Sequence, residues 1–121
     1  MLSEGAQLQA TAGQYTYLQL WGSWCQPCLD QTPKIKALQN DFGQKLNIIG
    51  VNYKEENAED AQSAISTNDM DWAQVQANED LIKNLGSPGF VPCGILFDEQ
   101  GQLVKYGVSP AEVRTLLSTS L

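Results

Sequence analysis

The 121-residue chain contains no histidine. That absence removes Ser-His-Asp and Cys-His hydrolases, which need an imidazole to carry a proton, and metal hydrolysis that leans on His ligands. Cysteine is scarce as well. Cys25, Cys28 and Cys93 are too few, and odd in number, for a secreted scaffold held together by disulfides. Seven Lys and Arg stand against fourteen Asp and Glu, a net charge of −7, so the surface repels phosphates and nucleic acid is not an expected partner. No apolar run approaches the ~20 residues that cross a bilayer, and the N-terminus lacks the charged-then-apolar form of a leader. Met1-Leu2-Ser3-Glu4 reads either as a cytosolic start or as the cut end of a chain stripped of its anchor. There is no Gly-rich phosphate loop, and Leu29 after Cys28 rules out the C-x-x-C-H haem attachment pattern. The length suits a single domain over residues 1–121.

What the chain does have is Trp24-Cys25-Gln26-Pro27-Cys28, two thiols three residues apart where an apolar strand gives way to a helical pattern. A helix opening there aims free N–H groups and the positive end of its dipole at the first sulfur, which favours the thiolate of Cys25 as a nucleophile. Cys28 lies one turn on, placed to resolve a mixed disulfide. Pro27 fits a first helical turn and stiffens the loop between the sulfurs. A zinc knuckle needs four ligands, and with no His and one further Cys the chain does not offer a metal site. A plain structural disulfide is the bland alternative. The spacing favours redox chemistry, with no cofactor beyond the Cys25–Cys28 dithiol and disulfide.

The pattern along the chain predicts an α/β domain with a mixed sheet between helices. Tyr15–Trp21 reads as a buried strand, and a helix follows from about Gln26 to Phe42, kinked by Pro33. Asn47–Tyr53 reads as a parallel strand covered on both faces. A polar helix over Ala58–Thr67, a short strand over Trp72–Gln76 and a helix capped by Asn78 come next. Gly94–Phe97 and Leu103–Tyr106 form a hairpin about Asp98-Glu99-Gln100-Gly101. Ser109-Pro110-Ala111-Glu112 opens a last helix with a capping box, its stripe being Val113, Leu116, Leu117 and Leu121.

Together, the CxxC at a helix head, the Val91-Pro92 step and the late hairpin resemble a thioredoxin-fold protein, most closely the TlpA-like thiol-disulfide oxidoreductases. These include the anchored reductases of bacterial cytochrome c maturation. Trp21-Gly22-Ser23-Trp24-Cys25-Gln26-Pro27-Cys28 matches the W-x-x-W-C-x-P-C segment of that family, and Pro33 falls where the fold carries its helix-kinking proline. Gly50-Val51-Asn52-Tyr53-Lys54-Glu55 resembles the segment that ends in a buried acid, and residues 56–76 resemble the central helix-strand insertion. Departures are visible too. Only 24 residues precede Cys25, so the N-terminal hairpin of the family is shortened or missing. Gln19 stands where cytosolic thioredoxins place a buried Asp, and Cys93 follows Pro92 where a small residue is usual.

The resemblance implies a cis-proline at Pro92, which would turn the chain beside Cys25 and free the Val91 backbone for a substrate strand. The alternative is a trans proline that starts an edge strand. It also implies Glu55 as a general acid/base serving Cys28, against a reading of Glu55 as one of a run of solvated acids. Trp24, Gln26, Pro27 and Val91 would line the client-binding surface, although an aromatic such as Trp24 can also be core. Cys93 is either a small apolar residue or a third thiol able to trap a disulfide, relay electrons or bind soft metal. The implied activity is reduction of protein disulfides in the periplasm or elsewhere outside the cytoplasm, by a domain anchored to the membrane in the full-length protein. The implied partners are disulfide-bearing proteins, apocytochrome c among them, and a thiol electron donor such as a membrane reductase. The rivals are a disulfide oxidase or isomerase on the same fold, a cytosolic thioredoxin, and a redox-silent module that holds an extended peptide.

Overall fold

The computed structural model describes residues 2–4, 14–53, 57–86 and 88–120. Its spine is β2 (Tyr15–Trp21), whose aromatic, β-branched and leucine residues are buried from Thr16 onward. Six strands form one sheet in the order β1-β4-β3-β2-β5-β6. On one side of β2 run β3 (Leu46–Asn52), β4 (Ala73–Gln76) and β1 (Leu2–Glu4), all parallel. On the other side β5 (Cys93–Phe97) and β6 (Leu103–Tyr106) run antiparallel. The three residues of β1 carry no alternation of polar and apolar side chains, and the sequence pattern gives no sign of that strand.

Period-two alternation along β2 splits the core into two layers. Tyr17 and Trp21 face α2 (Thr32–Phe42) and α5 (Pro110–Ser120), among Ile35, Leu38, Val113 and Leu117. Leu18 and Leu20 face the other way with Val51 and Ile95, under Leu81, Ile82 and Leu85 around α4 (Glu79–Asn84). Each fully buried leucine or isoleucine contributes about 1.5–3 kcal/mol by leaving water, so the two layers weld the central strands to their helices. Of the stripe expected on α5, Val113 and Leu117 are buried and Leu116 half-buried, while Leu121 lies outside the described residues.

The helix expected as one kinked rod over Gln26–Phe42 is two helices. α1 (Gln26–Asp30) and α2 meet at Gln31. Pro33 has no N–H, and its ring opposes the carbonyl four residues back, so the hydrogen-bond ladder cannot run through. The Gln31 N–H instead closes a tight turn on Cys28 O at 3.2 Å, and the ladder restarts with Ile35 N–H on Gln31 O at 3.0 Å. Pro33 sits in the first turn of α2, where a missing donor costs little.

The other boundaries follow their side-chain chemistry. Asn57 caps α3 (Ala58–Thr67) through the Glu59 N–H at 2.9 Å, and Asn78 caps α4 through the Leu81 N–H at 2.8 Å. Ser109 and Glu112 exchange reciprocal bonds of 3.2 Å at the head of α5. α3 and β4 lie between β3 and α4. Among the described residues no helix is long and apolar enough to cross a membrane.

Candidate active site

Parallel strands β2 and β3 end at the same edge of the sheet, and the chain leaves β2 there through Gly22-Ser23-Trp24 into Cys25. Cys25 is the N-cap of α1, with extended backbone at φ −104° and ψ 98°. Its Sγ accepts the Cys28 N–H at 3.2 Å. A sulfur held there meets an orphan helix donor, which favours negative charge on it. Cys25 and Cys28 are joined as a disulfide, with Cα atoms 5.3 Å apart. Cys25 retains 6% exposure and Cys28 none, so of the two only Cys25 presents surface to solvent.

The flanking residues divide into those that face solvent and those that hold the loop. Gln26 and Pro27 are exposed, and Gln26 Nε2 donates to Asp30 Oδ1 at 2.8 Å along the helix face. Trp24 is 55% exposed. A Cβ at Gly22 would lie 2.5 Å from Trp24 Nε1 and 2.6 Å from its Cε2, so glycine is what lets the indole fold back over the loop. The Val91–Pro92 bond is cis and leads directly into β5, whose Cys93 stands beside Leu20 near the end of β2. That register brings Val91 and Pro92 to the edge of the sheet from which Cys25 departs. Val91 and Pro92 are half-buried, with Val91 packed against both core layers.

Cys93 has 2% exposure and packs with Leu18, Leu20, Val51 and Ile95. Cys25 and Cys28 belong to the opposite layer, so the sheet stands between Cys93 and the pair. Burial pushes the Cys93 thiol above its ordinary pKa, against hydrogen bonds from Tyr106 and Gly107 that pull it down. Glu55 lies outside the described residues. Among the described residues no group of His, Cys, Asp and Glu is placed to hold a metal ion.

Two further residues lie in or against the segment before Pro92. Phe90 is 57% exposed in the segment before Pro92, an apolar side chain facing solvent. Tyr53 donates its hydroxyl to Pro88 O at 3.1 Å, tying the end of β3 to the same segment. An exposed aromatic near a CxxC and a late proline could have drawn attention to Phe90. Nothing in local spacing points Tyr53 at residue 88.

Comparison with known proteins agrees with this geometry. The thioredoxin-like family matches residues 13–103. The chain is similar to the thioredoxin-like protein YneN of Bacillus subtilis (strain 168), 34% identical over 50 residues, covering 41% of this chain and 29% of that protein. It is similar to the thiol:disulfide interchange protein CycY of Rhizobium leguminosarum bv. viciae, 40% identical over 47 residues, covering 39% and 24%. These matches therefore span less than a third of either curated relative. The thioredoxin domain of thiol-disulfide oxidoreductase BVU-2223 from Bacteroides vulgatus superposes with a TM-score of 0.78 at 25% identity, covering 89% of this chain and 79% of that one.

Proposed function

This chain belongs to the thioredoxin-like family, and we propose that it is a TlpA-type thiol-disulfide oxidoreductase that reduces protein disulfides outside the cytoplasm. The observation that carries the reading is the position of Cys25, its sulfur capped by the Cys28 N–H and its residue keeping 6% exposure where Cys28 keeps none. In the reduced pair the Cys25 thiolate attacks one sulfur of a client disulfide, forming a mixed disulfide and expelling the other client sulfur as thiolate. The Cys28 thiolate then attacks Cys25 Sγ, releasing the second client thiol and leaving the Cys25–Cys28 disulfide. Two electrons have passed to the client. A thiol donor returns them by the same exchange in reverse.

Glu55 is the acid/base in this scheme, taking the Cys28 proton as that thiol is called on to attack. Trp24, Gln26, Pro27 and Val91 receive the client, with the Val91 backbone pairing an extended segment as an added strand. The W-x-x-W-C-x-P-C segment supports the assignment to the anchored reductases. On that assignment the domain works at the outer face of a membrane, fed by a membrane reductase, with apocytochrome c among its clients.

Equilibration of the pair with dithiothreitol tests the direction. A reduction potential near ~−270 mV is the expected result, and one near the ~−120 mV of a strong oxidant would overturn the reductase reading. Cys25→Ser removes disulfide reduction, whereas Cys28→Ser accumulates a mixed disulfide visible by mass spectrometry. A Cys25→Ser protein that still reduced clients would sink the mechanism.

A further inference from the structure

Two glutamines, Gln19 and Gln74, are buried to 0% and 3% exposure. They stand in one register row. Gln74 of β4 pairs with Gly50 of β3, and Gly50 with Gln19 of β2. A Cβ at Gly50 would overlap Gln74 Oε1 and lie 2.6 Å from its Cδ and 2.8 Å from its Nε2. The Gln74 amide thus fills the space over Gly50, reaching toward β2.

Each amide lies against a partner that has a single function. The Trp21 indole only donates, and it donates to Gln74 Oε1 at 3.0 Å. That turns Gln74 Nε2 outward as a donor. The Cys28 carbonyl only accepts, and Gln19 Nε2 lies 3.5 Å from it. That turns Gln19 Oε1 outward as an acceptor. Gln74 Nε2 and Gln19 Oε1 are two of six buried side-chain atoms without a hydrogen-bond partner among the described residues. A buried amide atom left unpaired is costly, and here the two orphans are one donor and one acceptor, with only a glycine between their backbones.

We propose that Gln74 is a positioning residue for Cys28: its Nε2 is linked to Gln19 Oε1 over Gly50 through one bound water, and so ties strand β4 and Trp21 to the Cys28 carbonyl. The inference rests on the redox role of the Cys25–Cys28 pair. The network is assembled around the closed disulfide, so cutting it weakens the disulfide form against the dithiol and makes the pair easier to reduce.

Gln19→Met, Gln74→Met and the double variant test this by dithiothreitol equilibration. Each single variant is expected to shift the equilibrium toward the dithiol by about three- to tenfold, the scale of one buried hydrogen bond. Coupling requires the double variant to shift it no further than the larger single one. Additive shifts, or none, overturn the proposal. A purely structural role would lower the urea midpoint and leave the redox equilibrium where it was. Should a single variant fail to fold with its partner amide stranded, the double variant strands neither amide and decides alone. A shifted equilibrium then supports the coupling and an unshifted one refutes it. If the unaltered pair does not exchange at all, the redox reading falls and the inference with it. Exchange with unshifted variants removes the inference only.

Discussion

At Cys93, burial and hydrogen bonding pull the thiol in opposite directions, and burial dominates. Tyr17 is raised in the same sense, first by its own burial and then by Cys93. A group that holds its proton more tightly when folded gives its full stabilisation below its ordinary pKa and loses it as pH rises toward the folded value. For Cys93 that loss begins near an ordinary pKa of 9.0. Urea midpoints should therefore fall as pH rises past 9, and Cys93→Ala should flatten the fall between pH 9 and pH 10, Tyr17 adding its own loss only above its ordinary value of 10.0. An unchanged slope in Cys93→Ala would show that the thiol does not titrate in that range. With the sheet between it and the pair, Cys93→Ser should leave client reduction unaltered, and a large loss of turnover would place Cys93 in the relay. The thiols of Cys25 and Cys28 were legible from spacing alone. The face on which Cys93 lies was not, because it depends on which residue of β2 stands opposite, and only the register with Leu20 supplies that.

Helices short enough to need their caps are where local sequence speaks most directly. α4 has six residues, too few to be stable from its own ladder, and Asn78 satisfies one of its orphan donors. Asn78→Ala should cost about 1 kcal/mol, read as a lower urea midpoint at constant slope, and should leave turnover intact because α4 covers the layer away from the disulfide. A loss below a few tenths of a kcal/mol would mean that packing of Leu81 and Ile82 holds α4 without its cap. Asn78 and Ser109 each mark a helix start in the sequence, and Asn57 does the same work in the structure, because an Asx or Ser side chain bonds donors two or three residues on. The break between α1 and α2 is a subtler case. Pro33 announces a disturbance, but whether the helix bends or parts depends on Gln31 finding Cys28 O at short range. The link from Trp21 to Gln74 spans 53 positions, and no periodicity encodes a contact of that separation.

Over the whole molecule, acid outnumbers base by seven charges, and three of the described cations are already engaged. Lys36 bridges to Asp69 at 2.8 Å, Arg114 to Asp41 at 2.7 Å, and Lys105 to Glu112. The remaining field is negative and attracts cationic molecules at long range. Of two disulfide peptides alike but for charge, the Lys-rich one should react on the order of tenfold faster than the Glu-rich one at low ionic strength. That preference should vanish in 1 M salt, where the Debye length is about 3 Å. A preference that survives high salt would belong to contacts at Trp24 and Phe90 instead.

The disulfide joins residues only three apart, so it closes one of the smallest loops a cross-link can make. Loop-closure entropy grows with the length enclosed, and this bond therefore withdraws little freedom from the unfolded chain. The fold is held by its two apolar layers. The bond at its rim can open and re-form through successive turnovers without the chain ever needing to refold between them.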